Sequence, residues 1–183
     1  MTGVTSRPYA ALVTLLHRYL SGMLDPSVTQ REVHKLLYFM QEAGEPLGLT
    51  YQQSPYGPIA ENLHEFLRPM DGPPVSWVDA DTGYTPLQFV PGAIEDAASV
   101  LAQYPDTTAR LQRVAKLIDG FESPFGLMLL SSVHWIMNHK TVNSVDDVIR
   151  HANTGTTQFT MRQIAIAVHA LSRNGWVGQF VAY

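Results

Sequence analysis

The stretch SPFGLMLLSSVHWIMNHK, residues 123–140, decides the fold. Ser123-Pro124 is a helix start, because proline fits the first turn, where its missing N–H is not needed. The residues that follow are apolar on most sides, the pattern of a helix enclosed by others rather than lying on a surface. The apolar run Phe125 to Met137 is too short and too interrupted to span a membrane. A central buried helix is therefore expected, with the rest of the chain packed around it.

Working outward, residues 106–121 and 93–104 predict two helices separated by Pro105. On the other side, Ser144 with Asp147 caps a short helix, SVDDVIRH. Thr160 with Gln163 forms a capping box, Phe159 with Ile164 a hydrophobic staple, and a helix over 161–173 stops at Asn174-Gly175. The closing segment WVGQFVAY reads as a strand. Near the N-terminus, residues 8–23 place Leu12, Leu15, Leu16, Tyr19 and Leu20 on one helical stripe. Thr29 with Glu32 and Val28 with Val33 are a second box and staple, opening a helix over 29–43 that Gly44 and Pro46 end.

Between these halves the reading is less regular. Residues 47–53 predict a strand, Ser54 to Pro58 a rigid turn, and IAENLHEFL a third helix with Gly57 and Pro58 as its cap and first residue. Ile59, Leu63, Phe66 and Leu67 are expected to face inward. Residues 69–92 hold five of the twelve prolines and predict a loop region in which VSWVD and PLQFV pair as a small sheet. The expected class is mainly α: a single compact multi-helix domain over 1–183, with a small β-sheet formed by short strands. The length of 183 residues suits one domain or two very small ones.

Composition removes several kinds of chemistry. With no cysteine there is no disulfide scaffold, thiol nucleophile or cysteine metal site. No signal peptide is legible, and a cytoplasmic location is expected. GxSxG, GxGxxG and P-loop patterns are absent. Glu61 and His64 stand one helical turn apart, as in metal sites of helical bundles, but the pair occurs once and HExxH is missing. His134, on the most apolar helix, reads as a buried neutral imidazole. The expectation is no catalytic residue, no metal, no cofactor and no enzymatic activity.

Charge is informative through its distribution. The net charge is −4, yet residues 36–109 hold ten acids against the single base Arg68. Residues 1–35 and 110–183 are each net basic. An acidic middle repels nucleic acid and suits a basic partner. The terminal helix carries only Arg162 and Arg173, so no direct nucleic-acid binding is expected.

Three blocks carry a resemblance: residues 31–67, with KLLYF and YGPIAENL; residues 117–135, LIDGFESPFGLMLLSSVHW; and residues 159–176, FTMRQIAIAVHALSRNGW. Together they resemble the C-terminal toxin-binding domain of the DarG antitoxins of DarT/DarG systems. The first block is similar, more loosely, to Panacea-type antitoxin domains. The resemblance implies a partner, the DarT-type toxin that uses NAD to ADP-ribosylate thymidine in single-stranded DNA. It also implies that the macrodomain that removes this mark in full-length DarG lies outside this chain, since no glycine-rich phosphate loop is present.

A toxin that grips single-stranded DNA needs a basic groove with stacking surfaces. An acidic segment bearing aromatic rings is able to fill it as a DNA mimic. The expected partner contacts are Glu42, Glu45, Tyr56, Glu61, Asp71, Trp77, Asp79, Asp81 and Tyr84, with Tyr51 as a further ring in the segment. The alternative is a Panacea-like adaptor or DNA-binding regulator acting through the terminal helix–strand unit.

Overall fold

In the computed structural model, residues 6–22, 27–68, 75–76, 85–86, 88–89, 92–154 and 157–178 are described. Eight helices run through them in chain order: α1 (Arg7–Ser21), α2 (Gln30–Glu42), α3 (Leu63–Leu67), α4 (Ala93–Leu101), α5 (Pro105–Ile118), α6 (Pro124–His139), α7 (Val145–Ala152) and α8 (Met161–Arg173). Six short strands pair two by two: β1 (Ser27–Val28) with β5 (Thr85–Pro86), β2 (Tyr51–Ser54) with β3 (Gly57–Ala60), and β4 (Val75–Ser76) with β6 (Gln88–Phe89). All three pairs are antiparallel. The fold is mainly α with a small amount of β-structure, as expected; among the described residues it forms three two-stranded ribbons, and the expected pairing of VSWVD with PLQFV is the β4–β6 ribbon.

The central helix is α6. Leu127, Leu129, Leu130, Val133, His134 and Ile136 are all buried along it, and α2, α7, α8 and β3 pack around it. Ser123 caps it by accepting from the Gly126 amide at 2.9 Å. Gly126 is needed for a close approach: a Cβ there would collide with the Phe121 carbonyl oxygen. A second group joins α1, α4 and α5, and α2 contacts both groups.

The capping signals form as read. The Thr160 amide donates to Gln163 Oε1 at 2.8 Å, and the Gln163 amide donates to the Thr160 hydroxyl at 3.2 Å. Glu32 closes its own box by accepting from the Thr29 amide at 2.7 Å. Its other oxygen accepts from the Tyr19 hydroxyl at 2.5 Å, so the same carboxylate joins α2 to α1. Buried at 2% exposure, Glu32 thus has both oxygens engaged.

Three expectations are corrected. Residues 57–60 are a strand, not the first turn of a helix; α3 starts only at Leu63. Ser54 decides this locally: its hydroxyl donates to the Gly57 carbonyl at 2.6 Å and accepts from the Tyr56 amide at 3.1 Å, closing a tight turn. Gly57 follows at φ 89°, a left-handed conformation that glycine adopts without strain. The Ala60 amide then donates to His34 Nδ1 at 3.0 Å, which no helical spacing foretells. Secondly, residues 47–50 are not strand: the Gln41 side chain holds Leu49 by two 2.8 Å bonds, to its amide and its carbonyl. Thirdly, Trp176–Gly178 are irregular, and the rest of the expected terminal strand lies outside the described residues. Pro105 also begins α5 rather than standing between two helices, the position its ring favours.

Candidate functional site

The β2–β3 hairpin packs through β3 on α2 and α6, joining the first two resemblance blocks, and the third joins them through α8 on α6 and through Trp176, whose ring meets Phe39 at 5.4 Å and His134 at 5.8 Å. Tyr38 of α2 sits at the centre, buried, with its hydroxyl 2.7 Å from His134 Nδ1 of α6. Its ring meets Tyr51 of β2 edge-on at 5.1 Å and lies 6.1 Å from Trp135. Tyr51 in turn donates its hydroxyl to the His34 carbonyl at 2.9 Å. Burial pulls the pKa values of His34 and His134 down to about 4, so both rings are neutral near pH 7. His134 is the neutral core histidine expected.

Above this floor the surface has two ends. At the hairpin tip, Tyr56 is 40% exposed, and the Arg31 guanidinium lies 3.9 Å from its ring centroid. At the other end, exposed Glu42 closes α2. Although the residue as a whole is exposed, partial desolvation of its carboxyl raises the pKa, and the coulombic effect of His139 opposes the rise. His139 stacks on Trp135 at 3.8 Å with planes 10° apart. Glu61 is exposed just past β3, its amide bonded to the Thr50 carbonyl at 2.9 Å.

Beneath the tip lies Lys35, 2% exposed, with an Nζ that has no hydrogen-bond partner among the described residues. Burial and the neighbouring Arg31 lower its pKa to about 8, against a smaller upward pull from Glu32. The fit around it is tight. A Cβ on Gly57 would stand 3.0 Å from the Ser131 hydroxyl, 3.1 Å from that of Ser132 and 3.5 Å from Lys35 Cε.

Of the expected contact residues, Glu42, Tyr56 and Glu61 are exposed on this α2–hairpin unit. Glu45 is not available: its side chain is fully buried, paired with Arg7 at 3.0 Å and Arg110 at 2.8 Å, and accepts from the Thr107 hydroxyl. That expectation is corrected, because in sequence Glu45 was one more acid of the segment, whereas in the fold two arginines and a threonine consume it. Asp71, Trp77, Asp79, Asp81 and Tyr84 lie outside the described residues. Sequence reading missed Arg31, Lys35 and the Trp135–His139 stack. Only the last had a signal, the four-residue spacing on a helix.

Six of the seven described acids between 36 and 109 are exposed, Glu45 being the exception. Glu61 and His64 are both exposed, and the described residues contain no group of three or more His, Asp or Glu placed to hold a metal. None of the described helices is long and apolar enough to cross a membrane.

No protein-family model matches the chain. Among curated proteins it is similar to a protein of Thermus aquaticus named DNA ADP-ribosyl glycohydrolase, 32% identical over 169 residues, or 91% of this chain and 46% of the relative. Proteins of the same name from Mycobacterium bovis and Mycobacterium tuberculosis are each 29% identical over 141 residues, covering 69% of this chain and 40% of theirs. The chain thus spans about half the length of the curated relatives it matches. These matches support a relation to DarG-type proteins. They also correct the expectation of no enzymatic activity, since the name the relatives share is that of an enzyme.

Proposed function

We propose that this chain neutralises a DarT-type toxin by occupying the groove through which the toxin holds single-stranded DNA. The observation that carries the reading is the exposure of six of the seven described acids in the 36–109 segment, together with that of Tyr56 at the hairpin tip. Its context is the similarity to proteins whose name places them on ADP-ribosylated DNA. Carboxylates would take the place of phosphates, and the Tyr56 ring that of a stacked base. Arg31 holds the ring in place before binding, which lowers the entropy lost on association.

The test is binding to a catalytically inactive DarT-type toxin with single-stranded DNA as competitor, at two salt concentrations. The combined substitutions Glu42→Gln, Glu61→Gln and Glu65→Gln should weaken binding on the order of tenfold and flatten its salt dependence, as expected for exposed charges meeting a basic groove. Unchanged binding by that variant would defeat the mimicry reading.

The relatives' name supports a second reading, in which the chain takes part in releasing ADP-ribose from DNA. Incubation of the chain with an ADP-ribosylated oligonucleotide decides it, through the appearance or absence of free ADP-ribose.

A further inference from the structure

From Val148 to Tyr183 the sequence contains no acid. The described part of this stretch folds as α7, the connection and α8. On α8 the residues Arg162, Ile166, His169 and Arg173 are all exposed. Their spacings of four, three and four place them within one narrow stripe along the helix. Ile166 is 50% exposed and lies in the middle of the stripe, and Met161 at the start of the helix is 44% exposed. Neither arginine makes an ion pair among the described residues.

Acids are few on the helices packed against α8. α6 has no acid. The acids of α7 are Asp146 and Asp147 in its first turn, where Asp147 is engaged by Arg150 and by the Ser144 cap. At the far end, Arg113 of α5 donates to the Gly175 carbonyl at 3.0 Å and lies 4.4 Å from the Trp176 ring centroid, which adds a cation beside Arg173.

We propose that the outward face of α8 binds the phosphate backbone of a nucleic-acid strand. Arg162 and Arg173 stand about 16 Å apart along the helix axis, a reach of about five phosphates at the spacing of one strand. Exposed guanidinium groups without acidic partners favour a polyanion. Ile166 between them offers an apolar contact for a sugar or base face, which bulk charge attraction alone would not call for. The expectation of no nucleic-acid contact rested on the net charge and on counting two arginines. The packing of α8 against α6 and α7 aligns those two on a surface of their own.

The experiment is fluorescence anisotropy of the whole chain with a labelled oligothymidylate strand and with a duplex of equal length, at about 50 and 200 mM salt. Wild type should bind at the lower salt and release steeply at the higher. Arg162→Glu with Arg173→Glu should weaken binding at least tenfold while leaving the melting temperature unchanged, since both side chains are exposed. Preference for strand or duplex identifies the source of the backbone. No binding at low salt, equal binding by the double variant, or equal displacement by a poly-glutamate peptide at matched charge would each overturn the proposal, the last by moving it to an acidic protein partner.

Discussion

Replacing Glu45 by alanine is expected to destabilise the protein by about 3 kcal/mol, the lower end for a broken buried ion pair because its two arginine partners keep some contact with water. Its carboxylate is fully buried, and each oxygen is engaged by an arginine on a different helix: Arg7 of α1 on one, Arg110 of α5 on the other. The Thr107 hydroxyl lies 3.1 and 3.0 Å from the two oxygens. Removing the carboxylate leaves two guanidinium groups, each about one-third exposed, facing one another across an emptied site. The melting temperature should fall on the order of 10 °C. Glu45→Gln should cost less, because an amide oxygen still accepts from Thr107. A triple apolar replacement of Arg7, Glu45 and Arg110 should recover much of the loss, because no charge then stays unpaired. Equilibrium urea unfolding of the three variants measures this; a loss below about 1 kcal/mol for Glu45→Ala would mean that water replaces the carboxylate.

Lys35→Met is expected to act in the opposite direction and stabilise the fold by about 3 kcal/mol at pH 7. Lys35 is enclosed, its Nζ has no hydrogen-bond partner among the described residues, and its pKa falls from 10.5 to about 8. Each unit of that difference is worth about 1.4 kcal/mol. The sign follows from proton counting. Between pH 8 and 10.5 the unfolded chain carries the proton on Lys35 and the folded chain does not, so stability rises with pH across that window. Below pH 8 both states are protonated and the full cost is present. The difference in stability between Lys35→Met and wild type should therefore be largest below pH 8 and shrink toward pH 10. Comparing the two proteins removes the tyrosine contribution: Tyr38 and Tyr51, whose pKa values are raised by burial, act alike in both. A methionine variant less stable than wild type at pH 7 would show that the amine has a partner in solution.

Glu45 and Lys35 also show how the candidate site was read. By composition Glu45 belongs to an acidic surface segment, and Lys35 belongs to a helix whose neighbours are apolar. Whether a charge is spent inside the fold or offered outside it depends on what the other elements bring to it. Arg7 and Arg110 lie 38 and 65 residues away from Glu45 in the chain. Glu42, Tyr56 and Glu61 were legible as surface residues because caps and turns are local and place the end of α2 and the hairpin tip outward.

The sequence by itself determined the helices and where they begin. Ser123, Ser144 and Thr160 each cap through bonds three residues long, and Thr29 with Glu32 spans the same distance. It also determined that α6 is central, since a helix apolar on most sides has nowhere else to go. Tertiary structure decided the rest. The Gly57-Pro58 pair suits a helix start as well as a hairpin, and the choice fell to His34, which takes the Ala60 amide from 26 residues away. It decided that Glu45 is interior, that Tyr56 rests on Arg31, and that the arginines of α8 share an open face. Local bonds are made within the reach of a few residues and are written in their order; pairings across the fold depend on distances that only packing sets.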